Sequence, residues 1–540
     1  MARQARLALA VAAGALAAIA GAARAQQAPP TPGTVLQTIE PHRAPSYEAP
    51  AEILFRRGEQ EAVGARGATR FQVRGFNFVG NTVFPQGTLR RIVERWLDLP
   101  LNLSDLERAA DSVTRYYRDH GYPVARAVIP TQHVVDGLVT VEVIEGRIGK
   151  IDFDGERRYN EALLKGRTAA LAAESPVTLE TLERSILLLN DLPGVRAQVT
   201  LQPGEQFGST DAVVKIEEKP AELQLQIDNS GREETGRMQL DANGALNNPL
   251  GLGDRLSLHM VRSQDGLLRS ANVGYSIPLG ASGLRAAVAH TSVDYRVAGA
   301  FQALGISGEV RITEATLTYP YVRSRLHNVS LSGGLRRTET HQSALGASVS
   351  DGDLKVLALA ASGNWVYSDS SVATALAAFS GNFRSSASPD PNALRGKYQL
   401  EGTYLSGISP HWDAYLHGSL VHGVGRLPDT EKFSLGGPDS VRAYQAAELR
   451  GDDGYLLSAE FRRQFALART VGVFTLFYDR GAVHNAGFAG LDTLHGYGAG
   501  VALFPTSHSR VQLELAIPQG RTPSDGKSNG RAWVSAVIAF

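Results

Sequence analysis

From Ala221 to the last residue, Phe540, the chain is written in short alternating segments. Val511, Leu513, Leu515 and Ile517 fall two apart, with Gln512 and Glu514 between them; Val534, Ala536, Ile538 and Phe540 repeat the pattern one segment later. A period of two puts successive side chains on opposite faces of a strand. Segments of about ten residues, apolar on one face and polar on the other, suit a closed transmembrane barrel, with lipid outside, water inside and no open sheet edge. No helical period survives past Pro220. Candidate strands begin near Ala221, Arg237, Asp254, Arg269, Leu284, Ser307, Asn328, Leu354, Ser371, Lys397, Trp412, Tyr455, Val471, Leu494, Arg510 and Arg531. That is about sixteen, an even number as bacterial single-chain barrels require. A mean hydropathy of −0.14 and 56 glycines fit such a barrel and not a helical membrane protein.

The connections alternate in character. Long polar loops such as 385–396 and 519–530 alternate with short turns such as Asp369-Ser370 and 505–509. Short turns face the periplasm and long loops face outward. The stretch Phe433-Ser434-Leu435-Gly436-Gly437-Pro438-Asp439-Ser440-Val441-Arg442-Ala443-Tyr444 then falls on the outer side. It reads as a loop, because Gly-Gly-Pro breaks a ladder, yet its Val-Arg-x-Tyr core is more apolar than a solvated loop needs. The plain alternative is an ordinary turn and a short strand. Downstream, Phe477, Asp479 and Gly481 share one strand face. A tucked Arg442 can pair with Asp479 there, and buried charges persist only when paired. After the loop, Ser458, Glu460, Arg462 and Gln464 face inward, and Leu457, Ala459 and Phe461 outward, giving a charged, wet lumen. Gly496, Gly498 and Gly500 share a lumenal face and leave room for the loop tip. As a dinucleotide motif that run fails, since no helix follows.

The amino terminus has a different grammar. Arg3 and Arg6 precede an apolar run over 7–23, and Ala23-Arg24-Ala25 offers a small-x-small cleavage site, so 1–25 is read as a signal peptide. Residues 26–68, rich in proline, alanine and charge, are read as a linker of low order. A short helix is conceivable over 51–60, and no long amphipathic pattern for a plug helix is present. Over 69–146 the order is strand, helix, helix, strand, strand. Ser104 is placed as the second helix's cap, with Glu107 completing a capping box. The order repeats more loosely over 147–219. The barrel takes 220–540.

LGGPDSVRAY resembles the signature loop of the two-partner secretion transporters, the TpsB family of haemolysin and filamentous-haemagglutinin secretion-activation type. These belong to the superfamily that joins POTRA domains to an outer-membrane barrel. Its pattern pairs a Val-Arg-Gly-Tyr-type loop tip, folded back into the lumen, with a Phe-x-Asp-x-Gly strand motif. Leu435, Gly436, Gly437, Asp439, Ser440, Val441, Arg442 and Tyr444 match the loop, and Phe477, Asp479 and Gly481 match the strand. Ala443 departs from it, standing where glycine is usual. The two strand–helix–helix–strand–strand units resemble POTRA domains, with Gly80-Asn81-Thr82-Val83-Phe84 and Gly121-Tyr122 at the family's positions. Phe540 after an alternating strand resembles the sorting signal of outer-membrane barrels.

The resemblance implies an α+β plus all-β chain in a Gram-negative outer membrane, with its soluble domains in the periplasm. The implied client is a large exoprotein, bound in extended form by strand addition to a POTRA sheet edge and threaded through the barrel. Outer-membrane lipid and the barrel-assembly machinery are the other implied partners, and the chain is expected to be a monomer. Its 54 basic and 54 acidic residues imply no nucleic-acid partner. With no cysteine, disulfides and thiol catalysis are excluded. The 13 histidines are scattered, no Walker loop occurs, and no catalytic constellation, metal site or cofactor is expected. The rival readings are a barrel-assembly insertase of the same superfamily, a passive porin and an outer-membrane enzyme.

Overall fold

The computed structural model describes residues 29–39, 53–55, 70–155, 158–383, 396–467 and 470–540. The expected signal peptide lies outside them. Sixteen antiparallel strands close into a barrel, from Ala221–Asp228 to Arg531–Ala539. Each pairs with its neighbour in sequence, except that Trp412–Val424 pairs with Asp453–Leu467 across a long inserted segment. Closure pairs 224–228 with 535–539. Alternation decides the faces: Leu457, Phe461, Leu513, Leu515, Val534 and Ile538 are exposed on the outer wall, while Ser458, Glu460, Asp479 and Glu514 are buried inward.

The strand starts fall within two residues of expectation, with one exception. The eighth strand begins at Ala347, seven residues before Leu354, and runs 22 residues to Ser368. Its early part, Ser348 to Asp353, carries a single apolar side chain, Val349, so no alternation announces it. It extends past the apolar band.

The unit containing 71–146 packs Gly75–Val79, Leu138–Ile144 and Arg126–Val128 into one sheet against helices Gln86–Val93 and Leu103–Asp119. Phe76, Phe78, Leu89, Val113, Tyr117 and Val141 form its core. The second helix is capped by Asn102, not Ser104. The Asn102 side chain accepts from the Asp105 N–H at 3.0 Å, and Asp105 accepts from the Asn102 N–H at 3.0 Å. The capping box is therefore two residues earlier, because Leu103 already takes helical geometry.

In the second unit, helices Glu161–Ala173 and Leu179–Asn190 cover a sheet ordered Ile53–Phe55, Val195–Pro203, Ser209–Glu218, Arg147–Asp154. Ile53–Phe55 is thus a strand, parallel to 199–201, where a helix had been conceivable. The waiting sheet edge supplies its backbone partners. That edge of the unit's sheet is therefore occupied. The contact of the unit with the barrel includes two ion pairs: Arg323 meets Asp191 at 2.7 Å and Arg325 meets Glu183 at 2.7 Å.

The expected disordered linker also contains a helix, Pro32–Gln37, inside the outer end of the lumen. Thr31 caps it, and Pro32 has the fixed φ suited to a first turn. Val35 is buried among Leu268, Val293, Tyr295 and Val310 of the fourth to sixth strands. Six residues are too short to display a period, and tertiary packing stabilises them.

Candidate functional site

Between Trp412–Val424 and Asp453–Leu467 the chain turns back into the barrel. It begins as a two-stranded ribbon, Phe433–Leu435 against Leu449–Gly451, so the stretch is not wholly a loop. Gly436 and Gly437 then take φ of 103° and 106°, a region that disfavours any side chain. The Gly437 N–H donates to the Tyr444 carbonyl at 3.0 Å, closing the tip.

That tip carries Arg442, 5% exposed, against the wall. Its Nε donates to Asp479 Oδ2 at 2.8 Å and its Nη2 to Asp479 Oδ1 at 2.7 Å, a bidentate fork. Its backbone N–H reaches the same carboxylate at 3.1 Å. Nη1 donates to Glu460 at 2.8 Å and Glu514 at 3.2 Å. The guanidinium lies 3.5 Å from the centre of the Phe477 ring, a close cation–π contact. The Arg442 carbonyl accepts from Trp533 Nε1 at 2.7 Å.

Each position of the strand motif touches the loop. Phe477 stacks on the guanidinium and Asp479 grips it. Gly481 leaves space, because a Cβ there would stand 2.6 Å from the Leu435 side chain. Gly496 likewise clears the tip: its Cβ would stand 2.5 Å from that of Ala443. The wall therefore accommodates the loop's departure from glycine. Tyr444 is fully buried, its hydroxyl donating to the carbonyls of Gln519 at 3.1 Å and Arg521 at 2.9 Å. Leu435 and Val441 are buried with it, and the Ser440 hydroxyl accepts from the Gly436 N–H at 3.2 Å.

Asp439 is exposed at the tip, and Phe540 lies at the barrel's other end. The Phe540 N–H pairs with the Leu223 carbonyl at 2.9 Å. Sequence reading missed that Glu460, Glu514, Ser458 and Trp533 complete the Arg442 site. Their inward parity was visible; which inward residues meet across four strands was not. No group of three or more His, Asp or Glu side chains suited to a metal occurs among the described residues.

Comparison with known proteins gives this geometry a family. A POTRA domain of ShlB type matches residues 71–146. The heme/hemopexin transporter protein HuxB of Haemophilus influenzae is 24% identical over 475 residues, 84% of each chain. The hemolysin transporter protein ShlB of Serratia marcescens is 25% identical over 444 residues, 78% of this chain and 77% of that one. The solved structure of CdiB from Escherichia coli shares the fold, with a TM-score of 0.71 at 21% identity over 89% of this chain and 93% of that one. The model for the haemolysin secretion/activation protein ShlB/FhaC/HecB matches residues 208–503, more than half of the sequence, and the chain belongs to that family.

Proposed function

We propose that the client passes unfolded through this chain's own barrel, and that the Arg442 loop must shift to let it through. The chain is an outer-membrane transporter of a two-partner secretion system, working with a secreted exoprotein, its POTRA domains in the periplasm. The proposed steps go further. The client, a large exoprotein of haemolysin or adhesin type, docks in extended form by strand addition, which uses backbone hydrogen bonds and tolerates many sequences. In the second unit the edge at 199–201 is already paired with Ile53–Phe55, so docking there requires displacing that strand. The edges Gly75–Val79 and Arg126–Val128 end the first unit's sheet. Folding of the client outside supplies direction.

The observation that carries the reading is Arg442 itself, bound on the inner wall in the path a client would take. A passive pore has no use for a plugging loop held by a buried ion cluster. We also read 1–25 as a signal peptide, 69–146 and 147–219 as POTRA units and 220–540 as barrel. Phe540 serves as the sorting signal read by the barrel-assembly machinery, the apolar wall contacts lipid, and the chain works as a monomer.

The test is secretion of the candidate client from cells carrying wild type, Arg442→Ala, Asp479→Ala or a deletion of 69–219. Barrel level is checked by heat-modifiable gel mobility. Folded barrels with the client retained inside support transport through the gated lumen. Undisturbed secretion alongside failed assembly of other outer-membrane proteins favours an insertase.

A further inference from the structure

The Arg442 cluster holds only one end of the inserted segment, against the twelfth to sixteenth strands. The other end carries a second buried charge of opposite sign. Glu431 is 5% exposed, in the single turn Asp429–Glu431 that precedes the ribbon. Its carboxylate accepts from Arg336 Nη2 and, at 2.6 Å, from Lys397 Nζ. Arg336 belongs to His327–Ala344 and Lys397 to Gly396–Ser409, the seventh and tenth strands. The next residue, Lys432, turns the other way, to Asn485 Oδ1 at 2.6 Å.

We propose that Glu431 is a second anchor of the gate, holding the inserted segment to a separate sector of the wall through Arg336 and Lys397. At the first anchor a loop cation meets wall carboxylates; at this one a loop carboxylate meets wall cations. A buried carboxylate with two cationic partners is costly to separate from either. The segment therefore bridges two sectors of the lumen, and releasing Arg442 alone leaves it tethered. A full opening needs both clusters to part. Glu431 is a positioning residue: it acts through where it holds the loop.

This rests on the gate reading above, and the experiment separates the two. Purified full chains, checked as folded by heat-modifiable mobility, are placed in planar lipid bilayers and the open-channel probability is recorded. The variants are Arg442→Ala, Glu431→Gln, their double, Glu431→Lys, and the triple Glu431→Lys/Arg336→Glu/Lys397→Glu. Open probability is expected to rise on the order of tenfold in Glu431→Gln, and in the double by about the product of the single effects, as two separate anchors require. The triple, with charges exchanged, is expected to fall back toward wild type, which a merely structural loss would not do. If Arg442→Ala is leaky while Glu431→Gln and Glu431→Lys stay at wild-type level, the second anchor is wrong and the gate stands. If Arg442→Ala is also silent, the gate reading fails. Should Glu431→Gln not fold, Arg336→Gln/Lys397→Gln is read in its place under the same criteria.

Discussion

Arg442 shows what a buried charge demands of its surroundings. Asp479, Glu460 and Glu514 all reach it, and Arg462 Nε shares Glu460 at 2.7 Å. Removing the arginine leaves three carboxylates crowded in a desolvated site; removing one carboxylate leaves the arginine two others. Arg442→Ala is therefore expected to cost about 3–5 kcal/mol and Asp479→Asn less, read as the urea midpoint of barrel unfolding. The tip offers a steric counterpart. Gly496→Ala is expected to push the tip off the wall and expose the loop to protease, because the new methyl would overlap Ala443. Adding Ala443→Gly should restore part of the protection, since the Ile517 carbonyl also stands 2.8 Å from that Cβ position. Arginine, aspartate and the spaced glycines were legible because the motif is local in sequence. Glu460 and Glu514 were not, because inward parity does not tell which residues of the twelfth and fifteenth strands reach the same guanidinium.

Among the elements, the loop after Gly75–Val79 is fastened by a residue that no local pattern marks. Glu145, just past Leu138–Ile144, accepts from the backbone of Thr82 at 2.6 Å and Val83 at 2.8 Å, and from the Tyr117 hydroxyl at 2.8 Å. Burial pushes this carboxyl up, and the hydrogen bonds from Thr82, Val83 and Tyr117 outweigh it, holding it below the usual carboxylate range. A carboxyl depressed in the folded state contributes stability that is complete above its unfolded pKa and is lost as pH falls through the folded value. Glu145→Gln is expected to cost on the order of 1–3 kcal/mol at neutral pH and to flatten the acid limb of the domain's stability profile. Thermal melts across pH 3 to 7, an interval chosen around ~4.3, the unperturbed glutamate value, would show both. The Asn102 cap and the Pro32–Gln37 helix teach the same lesson from the other side. Competing caps sit two residues apart, and a six-residue helix has no period to read.

At the scale of the whole molecule, three sectors of the outer lumen are filled by separate means: the N-terminal helix at the fourth to sixth strands, Glu431 at the seventh to tenth, Arg442 at the twelfth to sixteenth. Helix and inserted segment also touch, since the Gly33 N–H donates to Asp429 Oδ2 at 2.7 Å and Arg450 Nη1 to Thr31 Oγ1 at 3.0 Å. At the periplasmic end the second soluble unit meets the barrel through Asp191–Arg323 and Glu183–Arg325. These pairs are partly exposed and each is weak alone, so the joint is expected to loosen when both are removed. Arg323→Ala/Arg325→Ala is expected to broaden the distance distribution between spin labels on that unit and on the barrel. The cysteine-free chain allows such labels to be placed one pair at a time. An unchanged distribution would show that apolar packing, not charge, sets the joint.

The amino-acid sequence by itself determined the barrel, its sixteen strands, the two soluble units and the pairing motif. Each is written in local periodicity or in short spacings, which the chain carries wherever it folds. The tertiary structure alone decided which inward charges share a site, where Glu431 lands, what fills the outer lumen, and that Ile53–Phe55 completes a sheet. Those outcomes depend on contacts between residues tens to hundreds of positions apart. Closure of the barrel and the return of the inserted segment create them, and no local pattern encodes either partner's choice.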